Sequence, residues 1–597
     1  MTPTPTAHDG LELRRVDFET LPEALDYAAR GKTGLNFYSA RGELATVLPY
    51  AELRERATDI ARGLIQAGLP RGARVVLLAD TDPDFVIYFL ACQYASILPV
   101  PVALPVTIGG REAYIAGLRR QLEGAGAAAA IANDELISYL RSAAEGLDIG
   151  LIGTPSDFND LPGSKAEVRP FGKDDPCYLQ YSSGSTRWPQ GIDIPQRSLL
   201  ANSHAIAHFG LDINAGDRCI SWLPFYHDMG LVGFMLTPLL SQMSVDYLAT
   251  RDFARRPLQW LSLITRNGGS LSFSPSFGYD LCTRRASGGN TGELNLESWR
   301  VAGIGGDMVQ PHVLQRFGET FAPLGFHKTA FVPSYGLAET TLAITFSALG
   351  REVHIDAVDR QNLADERTAV AATNGSMDGV REFVVCGKPM PGHEVQVRDT
   401  DGRILPDRRV GLVFAKGPSV MAGYFGNPEA TARILDEDGW LNTGDLGYTI
   451  DGALVIAGRD KDLIIINGRN IWPQDLEWAA EELPQLRSGD AAAFTVDDAG
   501  ETEQVVVLVQ CRVNDPDARA DLTREITGAI RESAGIECEV ALIPPRSLPK
   551  TSSGKLNRSR AREMYLSGIH KTDAGPGRTE QETARVAAPA GVTTLGK

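Results

Sequence analysis

The chain has 597 residues, 43% hydrophobic and 22% charged, the composition of a soluble globular protein with room for two or more domains. Its 75 acidic and 58 basic residues give a formal charge of -17 without long like-charge blocks, which argues against a nucleic-acid or anionic-membrane partner. Seven cysteines, at positions 92, 177, 219, 282, 386, 511 and 538, form no Cys-x-x-Cys pair, so neither a zinc site, a redox motif nor a disulfide framework is expected.

The N-terminal residues carry no basic stretch followed by an apolar one, and a cytoplasmic location is expected. Ala51 to Ala67 places Leu53, Ala57, Ile60, Ala61 and Leu64 at helical spacing, then Gly68, then the strand-like Val75 to Ala79. Phe85 to Leu104 is the most apolar window, but Gln93, Pro99 and Pro101 interrupt it. It reads as a buried helix running into a buried strand and not as a membrane span. Repetition of this alternation predicts an α/β fold: a large N-terminal domain of packed, mainly parallel sheets covered by helices, with ligands beyond the strand carboxyl ends.

Cys177 to Tyr181 predicts a short strand leading into a loop rich in hydroxyls and glycine. Ser182, Ser183, Ser185 and Thr186 offer four donors, while Gly184 and Gly191 let several backbone N–H groups turn toward one anion. Such a loop suits phosphate. His204 and His208 share a probable helix face, but Ala205 stands where a catalytic glutamate would be needed, so packing histidines are expected. Ala453 to Ala457 reads as a strand, and Gly458 to Asp462 as a charged connector with a domain boundary at Arg459 to Asp462. Beyond it, Gln504 to Val513, the helical Asp521 to Ser533 and Glu537 to Ile543 make a small mobile α/β domain. The expected domains are 1–460, 461–570 and a disordered tail, 571–597. Within that tail Gly591 to Lys597 has the G-x-x-x-x-G-K spacing but lacks the flanking strand and helix that a phosphate loop needs.

Four later segments give the phosphate loop its context. Ser334 to Thr340 offers an aromatic plane at Tyr335, a glycine beside it and the carboxylate of Glu339, a set suited to a stacked base and a Mg2+. Asn442-Thr-Gly-Asp-Leu-Gly447 puts Asp445 on a tight turn, where it could accept from ribose hydroxyls. Gly458 to Asn470 adds Arg459, and Pro549 to Asn557 puts Lys555 in a flexible turn that can enter and leave a phosphate site.

In order and spacing these segments resemble the adenylate-forming superfamily of acyl-CoA synthetases, luciferases and peptide-synthetase adenylation domains, and most nearly the fatty acyl-AMP ligases. The likeness covers about residues 15 to 568 and includes Ser221-Trp-Leu-Pro-Phe-Tyr-His-Asp-Met-Gly230 and Asp462 to Glu477. Between Glu339 and Gly387 there is room, around residues 350–380, for the insertion that marks these ligases.

The resemblance implies a ligase that makes acyl-AMP and pyrophosphate from a carboxylic acid and ATP, and passes the acyl group to a phosphopantetheine thiol of a carrier protein or CoA. It implies that Ser182, Ser183, Gly184, Ser185 and Thr186 hold phosphates, that Gly305, Gly306, Asp307 and Tyr335 hold adenine, and that Gly336 belongs to the same nucleotide site. Asp445 and Arg459 would hold ribose, Glu339 the Mg2+, and Lys555 the charge developing at the α-phosphate. Lys461 would be a hinge and His227 would stand at the acyl–phosphate junction. Phe234, Met235, Phe273 and Phe277 are candidates for an acyl pocket, with core packing an equal account of each.

Arg187-Trp-Pro-Gln-Gly191 departs from the Gly-Lys-Pro-Lys-Gly of acyl-CoA synthetases, and Asp193 and Gln196 are also unusual. Less positive charge at the β- and γ-phosphates, and an aspartate near them, predict weakened use of ATP. Two alternatives therefore stand beside the full ligase: an enzyme that takes preformed acyl-AMP to a CoA thioester, and a non-catalytic acyl or nucleotide sensor.

Overall fold

The computed structural model describes residues 5–568, apart from 9, 106–109, 160–164, 183–188, 290, 373–378, 467–468, 499–501 and 552–553. The chain divides into two compact units: residues 1–472 with Lys550–Lys555, and Pro473–Pro549 with the residues from Leu556 on. The predicted tail and its G-x-x-x-x-G-K spacing lie outside the described residues, and among those described no helix is long and apolar enough to cross a membrane.

In the larger unit, a nine-stranded sheet has five neighbouring parallel strands at its centre: Val301–Ile304, Leu271–Ser274, Arg218–Ser221, Ser244–Leu248 and Gly34–Tyr38. Phe331–Tyr335 continues the parallel run beside Val301–Ile304. A second, four-stranded parallel sheet is ordered Leu98–Val102, Arg74–Leu78, Ala127–Ile131, Leu151–Gly153. The predicted helix at 51–67 is Tyr50–Gln66, and its buried Leu53, Ala57, Ile60, Ala61 and Leu64 are the residues whose spacing predicted it. The apolar window resolves into the helix Pro83–Tyr94, capped by Asp82 accepting from Phe85 N–H at 2.8 Å, and the buried strand Leu98–Val102.

The insertion region holds the antiparallel pair Ile355–Asp359 and Val380–Val384 and the helix Arg360–Glu366. Asp356, 5% exposed, takes Tyr448 OH at 2.7 Å and the Arg408 guanidinium at 3.2 Å. Asn470 Oδ1 accepts from Arg367 Nε and Nη2, each at 3.0 Å, while Asn470 Nδ2 donates to Ala364 O at 2.7 Å. These bonds hold the hairpin Ile464–Ile466 and Arg469–Ile471 to the larger unit. The division at Trp472 accordingly falls downstream of the connector at 459–462.

The smaller unit is a three-stranded sheet, Ala491–Asp498, Thr502–Gln510 and Glu539–Ile543, with the helices Pro473–Glu481, Pro516–Ala534 and Arg558–Leu566. Glu477, 4% exposed, receives Arg558 Nε and Nη2 at 2.7 Å each. One turn on, Glu481 accepts from Gly489 N–H at 2.7 Å and Ala491 N–H at 3.2 Å. Burial, and then the charge of Glu477, push the Glu481 carboxyl from 4.5 up to about 8, against those backbone bonds. The folded unit keeps this proton where the unfolded chain has lost it, so stability falls as pH rises from about 4.5 to about 8 and is level above. Glu481→Gln should flatten that slope, giving a higher unfolding temperature than wild type above about pH 8 and little difference near pH 5, by thermal unfolding at both.

Candidate active site

The parallel strands Val301–Ile304 and Phe331–Tyr335 end side by side, in register at Ile304 and Pro333, and their carboxyl ends carry two of the predicted segments. Gly305 packs so closely that a Cβ there would lie 2.9 Å from Ser334 O, and Gly306 has φ +80°. A Cβ at Gly336 would lie 1.8 Å from Leu342 O, so the backbone permits no side chain there. Asp307 is exposed and accepts from Met308 N–H at 2.8 Å.

Tyr335 OH donates to Asp445 Oδ2 at 2.7 Å, and Arg459 Nε lies 3.4 Å from Asp445 Oδ1. Asp445 and Arg459 face each other in the antiparallel pair Leu441–Ile450 and Ala453–Arg459. Residues separated by more than a hundred positions thus form one cluster, an aromatic ring, a carboxylate and a guanidinium. Burial, with the adjacent Asp445 charge, pushes the Tyr335 phenol well above its ordinary value, so it stays a donor.

Glu339 is half-buried on the short turn Ala338–Thr340, and its Oε1 accepts from Tyr424 OH at 2.9 Å. Burial raises its carboxyl. His227 Nδ1 is 2.6 Å from Asp228 Oδ1, which also accepts from Met229 N–H at 2.7 Å. Burial would raise the Asp228 carboxyl, but the charge and hydrogen bond of His227, followed by the charge of Lys555, hold it below the usual carboxylate range. Asp228 is also among the charges that raise Glu339. Lys555, His227, Asp228 and Glu339 therefore share one electrostatic neighbourhood, although only three of them were expected there. Asp228 was within reach of sequence reasoning as the next residue after His227; Tyr424 gave no signal, since its contact spans 85 positions.

The phosphate loop is closed at its neck, where Ser182 N–H donates to Gln190 O at 3.0 Å and Gln190 N–H to Ser182 Oγ at 3.2 Å. Ser183, Gly184, Ser185, Thr186, Arg187 and Trp188 lie outside the described residues. Two of the unusual residues beyond the loop, Gln190 and Gln196, have side-chain partners. Gln190 Oε1 accepts from Asn427 Nδ2 at 3.1 Å, and Gln196 is a buried core amide bonded to Gln93 at 2.6 Å. Asp193 pairs with Leu179 and so shares its face, the one turned to the smaller parallel sheet's core, opposite Gln180, whose amide donates to Tyr226 O beside His227. Asp193 Oδ1 is buried there without a hydrogen-bond partner among the described residues, and burial raises its carboxyl.

Among the apolar candidates, Phe234 and Phe273 meet with ring centroids 5.7 Å apart, and the Phe273 ring covers Gly303 so that a Cβ there would be 2.0 Å from it. Met235 is fully buried, and Phe277 stands instead beside Trp222 at 5.7 Å. Lys461 is exposed on the turn Asp460–Asp462. His204 and His208 stack at 4.2 Å, and His208 Nε2 contacts Arg15 O at 2.9 Å; no group of three metal-ligating side chains occurs among the described residues.

Mg2+ fits this chemistry without such a group, because it takes one or two carboxylates and fills its shell with water and phosphate oxygens. Glu339, half-buried with Oε1 bonded to Tyr424, would supply that single carboxylate.

The model of AMP-binding enzymes matches residues 36–425. A Caulobacter vibrioides protein named as an acyl-CoA synthetase is 50% identical over 568 residues, 95% of this chain and 98% of that protein. The medium-chain-fatty-acid–[acyl-carrier-protein] ligase JamA of Moorena producens is 32% identical over 93% of this chain and 96% of its own. A solved structure from a study of fatty acyl-adenylate ligases of E. coli and L. pneumophila superposes with a TM-score of 0.90 at 44% identity, over 94% of this chain and all of that one. With the nucleotide-type cluster at the strand ends, these likenesses establish that the chain belongs to the AMP-binding, adenylate-forming enzymes and is a ligase working through an acyl-adenylate.

Proposed function

We propose that this ligase joins a carboxylic acid to ATP with release of pyrophosphate, then hands the acyl group to the phosphopantetheine thiol of a carrier protein in preference to CoA. The observation that carries the first half is Asp445, held between Arg459 and Tyr335, the residue that ends a parallel strand. In this reading Asp445 accepts from the ribose hydroxyls while Arg459 steadies it. Tyr335 and Gly305 to Asp307 flank the adenine, and residues 182–186 carry phosphates. The carboxylate oxygen attacks the α-phosphorus and pyrophosphate leaves. Lys555, whose charge acts on Asp228, offsets the charge that develops there, and His227 stands where acyl and phosphate meet. Bound Mg2+ would supply neutralising charge on the phosphates. Lys461 is the hinge of the smaller unit.

Two facts favour a carrier protein: the insertion around 350–380, and the carrier-protein activity in JamA's name. Offering synthetic acyl-AMP with a phosphopantetheinylated carrier or with CoA, separately, tests the acceptor. Thioester on the carrier is expected, and thioester on CoA alone contradicts the reading. Gln190, uncharged and bonded to Asn427, keeps open the reading in which only the thioester-forming half operates.

Phe273 and Phe234 wall the acyl pocket in this account. Phe273→Ala opens the space above Gly303 and should move the preference toward longer acids by about tenfold or more in kcat/KM, read across a chain-length series.

A further inference from the structure

The residues after Glu339 take a conformation that threonine rarely adopts. Thr341 has φ +70° and ψ -56°, and Leu342 N–H donates to Thr340 O at 2.8 Å, so residues 340–342 form a γ-turn of the rare, strained, positive-φ kind. A β-branched side chain makes that backbone costlier still. Such a turn persists only where its surroundings over-determine it. Here Thr341, 1% exposed, donates through N–H to Ala338 O at 2.9 Å and through Oγ1 to Ser419 O at 2.7 Å. Ser419 is held in turn by His393, whose Nε2 lies 2.6 Å from its Oγ. Asn202 grips Ala343 from both sides, its Nδ2 donating to Ala343 O at 2.7 Å and its Oδ1 accepting from Ala343 N–H at 3.2 Å.

The turn separates two functional neighbours. On one side Glu339 is tied down by Met421 N–H to its carbonyl and Tyr424 OH to Oε1, each at 2.9 Å. On the other, Leu342 is folded back so that its carbonyl crowds Gly336 and its Cδ2 would lie 3.3 Å from a Cβ at Gly233, next to Phe234. We propose that Thr341 is a positioning residue whose forced turn fixes the Glu339 carboxylate for the metal–nucleotide and seats Leu342 beside the acyl pocket. The inference rests on the reading of Glu339 as the Mg2+ carboxylate.

Thr341→Ala and Thr341→Gly both lack the hydroxyl and the γ-methyl, and they differ in that glycine takes positive φ freely and can relax the turn. Ordinary structural loss would make activity and stability fall together. A positioning role separates them: Thr341→Gly should have the higher Tm of the two and the weaker site. The site is read by Mn2+ binding with α,β-methylene-ATP, followed by water proton relaxation. Thr341→Ser should bind within about threefold of wild type and Thr341→Gly about tenfold or more weakly, with Thr341→Ala between. Wild-type Mn2+ affinity in Thr341→Gly, or affinities that follow Tm across the series, would overturn the proposal. Glu339→Gln, measured alongside, separates the two ideas. If it binds Mn2+ as wild type does, the metal reading of Glu339 falls and the proposal with it; if it loses binding while Thr341→Gly keeps it, the proposal alone falls.

Discussion

Lys555→Ala should lower carboxylate-dependent pyrophosphate exchange by about 10²–10³-fold, the scale of removing one preorganised charge from a developing oxyanion. The turn that presents the lysine does not depend on its side chain: Thr551 N–H donates to Lys555 O at 2.7 Å, Lys555 N–H to Thr551 Oγ1 at 3.2 Å, and Gly554 takes φ +83°. The Tm should therefore stay near wild type. Lys555 also helps hold Asp228 below the usual carboxylate range, so its loss weakens the field around His227 as well. Exchange within about threefold of wild type would contradict the role given to Lys555.

The second large effect is expected at Asp445. Alanine there removes the acceptor of Tyr335 OH and the partner of Arg459, and with them the group assigned to the ribose. Hydrogen bonds to a charged group contribute about 1.5–3 kcal/mol, so KM for ATP should rise by about 10–100-fold in the same exchange assay. The Tm should fall as well, because the Tyr335 hydroxyl is left without its acceptor. Asp445→Asn keeps the shape and one acceptor oxygen and should cost less on both counts. Equal KM values for Asp445→Ala and wild type would remove Asp445 from the nucleotide site.

What could be read from the sequence follows from where the information lies. Local periodicity gave the helix Tyr50–Gln66 and the strands Pro176–Tyr181 and Glu539–Ile543 to within a residue or two, since each reports on its own buried face. The helix expected from Asp521 begins at Pro516, where Asp515 accepts from Ala518 N–H at 2.9 Å; that Asp-Pro start was the overlooked signal. The compact units part beyond the charged connector because Asn470 is held by Arg367 and Ala364, contacts about a hundred positions away that no local pattern carries.

The site divides in the same way. Motif order made Tyr335, Glu339, Asp445, Arg459 and Lys555 candidates; a parallel strand end presents Tyr335 with Glu339 on the turn after it, and the antiparallel pair Leu441–Ile450 and Ala453–Arg459 presents Asp445 and Arg459. Unfamiliar residues were harder to weigh from sequence. Gln196 reads as a change at a phosphate site, whereas its bond to Gln93 places it in a core amide network; Asp193 shares a sheet face with Leu179. Tyr424 and Thr341 left no trace at all, one because its bond to Glu339 is long-range, the other because a positive φ on threonine is imposed by Ser419, Ala338 and Asn202 together.

Carboxylate-dependent exchange of labelled pyrophosphate into ATP, across fatty acids of increasing length and with Mg2+ present, tests the central claim most directly. Exchange that needs the acid and disappears in Lys555→Ala is the predicted result. No exchange with any acid, from protein that still forms thioester from synthetic acyl-AMP, would contradict it.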